Sequence, residues 1–213
     1  MNNHRGSLLV GFVEWVHRTY VYDRRIRVLS DHLARVIPPA AHLLDVGTGD
    51  GALASSLLHH RPDISVRGVD VLIRRKTLIP VDPYDGLRLP YGDLSFDAVM
   101  FIDVLHHTDD PLSCLREAWR VARVSIIVKD HIVGGLISER TLRIMDIIGN
   151  ARHSVRLPFN YWTRGKWQAA FQTMGLRIGT WQEDLGLYPW PASFFLDRRS
   201  LHFLAKLDKQ TAP

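Results

Sequence analysis

Short apolar runs alternate with stretches of helical period along most of the chain. His42–Val46 reads as a buried strand, and Ala52–His60 as the helix that follows it, broken by Pro62. Residues 64–71 form the second predicted strand, with Asp70 at its end. A short third strand is predicted over 77–81, followed by a Pro-, Gly- and Asp-rich loop over 82–95. Residues 96–104 make a fourth strand, apolar enough for burial on both faces. Pro111 opens a helix that runs to Ala122, and 124–128 is the fifth strand. Strand alternating with helix predicts an α/β fold with a parallel, doubly wound sheet.

The flanks carry other patterns. Leu8, Leu9, Phe12, Val13, Trp15, Val16 and Tyr20 give residues 7–24 the spacing of an amphipathic helix. A second helix over 27–36 carries Val28, Leu29, Leu33 and Val36 before Pro38-Pro39 stops it. Residues 1–40 are therefore read as an N-terminal helical cap. After the fifth strand, 132–162 is read as a lid insertion containing a helix over 136–148. A helix over 163–174 and strands over 176–184 and 201–207 complete the pattern. With no repeat or linker, residues 1–213 are expected to be a single domain.

Composition narrows the picture slightly. The 213 residues are 46% hydrophobic and carry a net charge of +5. The basic residues are dispersed, and the densest run, Arg24-Arg25-Ile26-Arg27, reads as a solvated helix face. Nucleic acid is therefore not the expected partner. The single cysteine, Cys114, excludes an internal disulfide and a Cys-based zinc site, and is expected half-buried in a helix. The apolar stretch over 8–13 is too short to span a bilayer, and no signal-peptide cleavage site follows. The expectation is a cytoplasmic protein with no membrane span. Oligomeric state has no signature in the sequence.

The chemistry centres on Leu43-Leu44-Asp45-Val46-Gly47-Thr48-Gly49-Asp50-Gly51. A strand running through alternating glycines into a helix brings backbone N–H groups close to a ligand. Alone it is a weak signal, because Gly47, Gly49 and Ala52 also satisfy a dinucleotide pattern. Three further features follow in order: Asp70; Asp85-Gly86-Leu87-Arg88-Leu89-Pro90-Tyr91; and Ser95-Phe96-Asp97-Ala98-Val99, leading into Val104-Leu105-His106-His107. Together they resemble the class I S-adenosylmethionine-dependent methyltransferases, in particular the small-molecule, methyltransferase-11-like group. The resemblance implies a Rossmann-like, seven-stranded sheet, its last strand antiparallel and inserted beside the fifth. It implies that Asp45, Thr48 and the Gly47 and Gly49 backbone hold the methionine end of S-adenosylmethionine. Asp70, with Val71 beside it, would take the ribose hydroxyls. Asp85 would accept from the adenine amino group, with the Gly86 backbone adjacent, and Asp103 would lie near the methionine moiety or the acceptor. One departure is the missing Pro-Gly-Gly turn before strand five, where Arg120 to Val124 run almost directly into the strand.

Ligands in such sheets sit beyond the carboxyl ends of the strands. Strand four ends near Asp103, His106 and His107, and strand five at Lys129, Asp130 and His131. An acceptor that loses a proton on methylation needs a base. His131 and His107 are the candidates, with Asp130 orienting an imidazole. Asp103 and Asp130 resemble the acids that hold magnesium in catechol-type methyltransferases, but the nearby histidines argue against it, and no metal ligand is assigned. The aromatics of the lid suit a small organic acceptor, with Asn150, Asn160 and Tyr161 as candidate contacts. Three alternatives stay open: an RNA methyltransferase, a non-catalytic cofactor-binding protein, and an NAD-dependent oxidoreductase. The last is disfavoured by the Asp85 and 95–99 signatures.

Overall fold

The computed structural model describes residues 22–150, 157–190, 193 and 201–209. The predicted helix over 7–24 lies outside them except for its last residues. Those residues belong instead to α1, Asp23–Val36. β1 is His42–Val46, α2 Ala52–His60, β2 Ser65–Asp70 and β3 Val81–Pro83. β4 spans Phe96–Ile102, and a 3₁₀ turn follows at Leu105–His107. Then come α3 at Pro111–Val121, β5 at Ala122–His131, α4 at Leu136–Asn150 and α5 at Arg164–Thr173. β6, Leu176–Gln182, and β7, His202–Lys209, close the described chain.

The strands form a seven-stranded sheet in the order β3-β2-β1-β4-β5-β7-β6. β1 to β5 pair in parallel, and β7 enters antiparallel between β5 and β6. This is the expected doubly wound sheet with its antiparallel last strand beside the fifth. One face packs under α1 and α2 through Leu29, Leu33 and Leu57, and the other under α3 and α5 through Leu115, Trp167 and Phe171. Central strands covered on both sides must be apolar throughout. β4 meets that requirement with Ala98, Val99, Met100 and Phe101 all buried.

Local chemistry sets the helix starts. The Asp110 carboxylate accepts the Leu112 and Ser113 N–H groups, with Pro111 at the first helical position. Thr163 accepts from the Lys166 N–H in the same way. Arg120 at the end of α3 clasps the signature loop, donating to the Leu89 and Tyr91 carbonyls and to Glu117. Cys114 sits half-buried in α3, as expected.

Three expectations need correction. The third strand does not span 77–81 but begins at Val81. The Leu78 N–H donates to the Asp50 carbonyl, which ties 77–80 to the glycine loop, and the ladder with β2 opens at the pair Gly68 and Val81. β5 does not stop at Val128, because its polar end is sheltered by β7, which pairs Lys129 with Leu204, Asp130 with Phe203 and His131 with His202. The arginine run is not a solvated face: Arg24 donates to the Gly186 carbonyl, and Arg25 turns inward to an ion pair with Asp103. Among the described residues, no helix is long and apolar enough to cross a membrane.

Candidate active site at the carboxyl ends of the strands

β1 delivers Asp45 into a sharp bend. Gly47 has φ +73°, and a Cβ there would meet Val104 Cγ2 at 2.6 Å, so only glycine fits. The Gly47 N–H donates to the Val69 carbonyl at 2.8 Å, which joins the bend to β2. Thr48 Oγ1 donates to Asp45 Oδ2 at 2.6 Å. Burial pushes the Asp45 carboxyl up to about 7, against the pull of the Thr48 hydroxyl. At Gly49, φ is +64° and a Cβ would meet no atom within 4 Å, so the bend faces open space. Asp70 closes the loop from β2, accepting the Gly49 N–H on one oxygen and the Leu72 N–H on the other, both at 2.8 Å.

A cleft of about 150 Å³ lies over this bend. Asp45, Gly47 and Thr48 line it with Tyr22 and Arg25 from the start of α1 and Asp103 after β4. Asp103 adopts φ +57°, a left-handed conformation uncommon for a residue with a side chain. Its carboxylate is held by Arg25 and by Lys129, which is fully buried. Burial alone would raise the Asp103 carboxyl, but Lys129 and Arg25 overcome it and hold the group well below the usual carboxylate range.

Val71, Asp85 and Gly86 stand apart from the cleft lining. Asp85 is exposed, and its Oδ1 accepts the Leu87 and Arg88 N–H groups as a loop turn. Those N–H groups hold its carboxyl below the usual range. Gly86, at φ +82°, sits against the exposed Val71, whose Cγ1 would lie 3.3 Å from a Cβ at that position.

Behind Asp103 lies a buried polar cluster. Asp130 is its hub, accepting from the Leu105 N–H at 3.0 Å, the His131 N–H at 2.7 Å and His106 Nδ1 at 2.6 Å. The imidazole that Asp130 orients is thus that of His106, not His107 or His131. Burial would lower the His106 pKa, but the two flanking carboxylates, Asp130 and Asp146, raise it to about 10. His131 is buried, with Nδ1 3.0 Å from His202 Nδ1 and Nε2 3.5 Å from Asp146. Burial and then His106 push the His131 imidazole down, and push that of His107 to about 4. The Tyr161 hydroxyl donates to Asp146.

Sequence reasoning placed His106 at the end of strand four without giving it a role, and it missed Arg25, Asp146 and His202 as members of this site. His202 and Asp146 did carry a signal, each being a polar residue inside an apolar run. Asn160 is a connector rather than an acceptor contact: its side chain bridges the Thr108 carbonyl and the Trp162 indole N–H. The Asn150 side chain lies outside the described residues.

Residues 44–125 match the family model described as "Methyltransferase domain", of the methyltransferase-11 type. Over that stretch the chain is similar to methyltransferases of this type. Curated relatives include a demethylmenaquinone methyltransferase of Roseiflexus sp. (strain RS-1), 34% identical over 118 residues, which cover 50% of this chain and 48% of that protein. A 27-O-demethylrifamycin SV methyltransferase of Amycolatopsis mediterranei (strain S699) is 32% identical over 123 residues, covering 51% and 45%. The chain thus spans about half the length of the curated relatives it matches. Among solved structures, a SAM-dependent methyltransferase from Aquifex aeolicus aligns with TM-score 0.59 and 15% identity, covering 92% of this chain and 93% of its own. The [4+2]-cyclase SpnF aligns with TM-score 0.61 and 17% identity, covering 87% and 81%. At such identities these structures show the methyltransferase fold alone.

S-adenosylmethionine is the cofactor that this domain implies, and the site fits it. The bend at Gly49 opens onto free space where any side chain would intrude. The donor set also matches: a buried carboxylate at Asp45 for an ammonium, unhindered glycine backbone for a carboxylate, and an acid at the end of β2 for hydroxyls.

Proposed function

We propose that this domain transfers the methyl group of S-adenosylmethionine to a small organic acceptor by in-line displacement. The observation that carries the reading is the cleft itself, with the glycine bend and Asp45 on one wall and the Arg25–Asp103 ion pair on the other. Its volume is about 150 Å³. That suits the amino-acid end of the cofactor, with the acceptor approaching beyond Asp103. The relatives named for demethylmenaquinone and 27-O-demethylrifamycin SV support a small organic acceptor.

The bound cofactor supplies an activated methyl group, so the protein's part is alignment and exclusion of water. Asp45, Thr48 and the Gly47–Gly49 backbone hold the methionine end, and Asp70 the sugar. Val71, Asp85 and Gly86 receive the base. Asp103, fixed by Arg25 and Lys129, faces the reacting end. For a hydroxyl acceptor, His131 or His107 takes the proton, and Asp130 positions the cluster through His106. The 132–162 insertion, with α4 at its centre, serves as the lid.

The test is methyl transfer from isotopically labelled S-adenosylmethionine to a panel of phenols, quinols, amines and carboxylic acids, with bulk RNA as a separate arm. Label appearing in a small acceptor supports the reading. Label in RNA alone replaces it with the RNA alternative. Tight binding of S-adenosylhomocysteine without turnover on any acceptor favours a non-catalytic cofactor-binding protein.

A further inference from the structure

Four imidazoles run in file through the interior: His107, His106, His131 and His202. Neighbouring ring centroids lie 3.9, 4.4 and 4.8 Å apart. Such a row is costly in a dry interior unless each ring nitrogen meets a partner. Several do: His131 and His202 face one another, and His106 Nδ1 meets Asp130. Two do not. His106 Nε2 and His107 Nδ1 are buried with no hydrogen-bond partner among the described residues, and the His106 side chain is only 1% exposed. His106 Nε2 points toward Asp146 Oδ2 across 3.3 Å. One ring nitrogen from each of His106 and His107 and a carboxylate oxygen of Asp146 all lie within 4.8 Å of one another.

We propose that His106, His107 and Asp146 form a site for a divalent transition-metal ion of the zinc type. Two imidazoles and a carboxylate are the donor set that such ions prefer, whereas magnesium takes oxygen alone. The surroundings match those of metal ligands. Asp130 fixes the His106 ring through Nδ1, which leaves Nε2 facing Asp146 as the nitrogen that would ligate once an ion displaces its proton. The Tyr161 hydroxyl holds Asp146 from the other side. His131 Nε2, 3.5 Å from Asp146, stands at the edge of the site. Donors in a tetrahedral site with bonds of about 2.0–2.2 Å lie about 3.3 Å apart, so loading closes the trio by no more than a rotamer adjustment.

A second trio, Asp103, His131 and His202, has similar spacing. It is the poorer host, because Asp103 is already engaged by Lys129 and Arg25, and two cations repel a third. The metal site does not depend on the methyl-transfer reading, since metal binding is measured without cofactor or acceptor. With an ion in place, His107 is a ligand and His131 is left as the base.

The experiment strips the full-length protein with a chelator and titrates it with Zn²⁺ by calorimetry and with Co²⁺ by visible absorption. The expected result is one ion per chain and Co²⁺ d–d bands of a mixed nitrogen–oxygen site. X-ray absorption at the zinc edge of the wild-type protein should show two imidazole ligands, a readout that needs no variant to fold. His107→Ala and Asp146→Asn should each weaken binding by about 100-fold or more, and Tyr161→Phe by about 10-fold. His202→Gln should leave it unchanged. Absence of stoichiometric binding by folded wild-type protein would overturn the proposal. So would unaltered affinity in both His107→Ala and Asp146→Asn, or binding abolished by His202→Gln alone.

Discussion

Gly47 and Gly49 lie two residues apart in one bend, yet alanine should act differently at each. Both adopt left-handed backbone, at φ +73° and +64°. A side chain in that region costs roughly 1–2 kcal/mol. At Gly49 this is the whole cost, because a Cβ there meets nothing within 4 Å. For a domain of this size Tm should fall by roughly 2–8 °C. If the cofactor lies over this bend, as proposed, the new methyl stands against it. Affinity for S-adenosylhomocysteine should drop at least tenfold, about 1.4 kcal/mol. At Gly47 the Cβ also approaches Val104 Cγ2 at 2.6 Å. Overpacking of that kind adds about 1–3 kcal/mol, so Gly47→Ala should lose stability and affinity together. Calorimetric titration beside thermal denaturation separates the two patterns. If Gly49→Ala binds S-adenosylhomocysteine as tightly as wild type while its Tm falls as expected, the cofactor does not lie over this bend, and the assignment of Asp45, Gly47 and Thr48 goes with it.

Asp45 gives a pH dependence of definite sign. Burial raises its carboxyl from 3.8 to about 7, so the native state keeps a proton that the unfolded chain has released. Its contribution to the stability of the free protein should be fullest below about pH 4 and decline as pH rises to about 7. Asp45→Asn should flatten that slope in denaturant titrations at pH 5 and pH 8. Asp70→Ala should weaken cofactor binding, as the sequence alone predicts, but should also destabilise. It strands the Gly49 and Leu72 N–H groups, at about 1–3 kcal/mol for each that stays buried. A collapse of affinity with unchanged Tm would show that Asp70 does not anchor the loop. Lys129→Ala removes one cation from a buried pair and should cost about 3–5 kcal/mol in chemical denaturation. A loss under 1 kcal/mol would mean that Arg25 alone suffices for Asp103.

The sequence by itself determined the parallel sheet and the glycine bend, because both are recorded locally. Whether a strand is buried on one face or two is written in its own residues, and the bend needs only the contiguous stretch from Asp45 to Gly51. The same locality failed at residues 77–80, where a contact to the Asp50 carbonyl outweighs strand propensity. What the tertiary structure alone decided is the polar cluster. Lys129, Asp130 and His131 read from the sequence as the ligand-facing end of a strand, but only β7, running antiparallel beside them, sets His202 against His131. Arg25 looks like one charge in a basic run, until α1 packs across the sheet and points it at Asp103. Residues so far apart in the chain leave no periodic trace of their meeting. Burial of charge is a property of the assembled layers, and only those layers can say which carboxylate a given cation will reach.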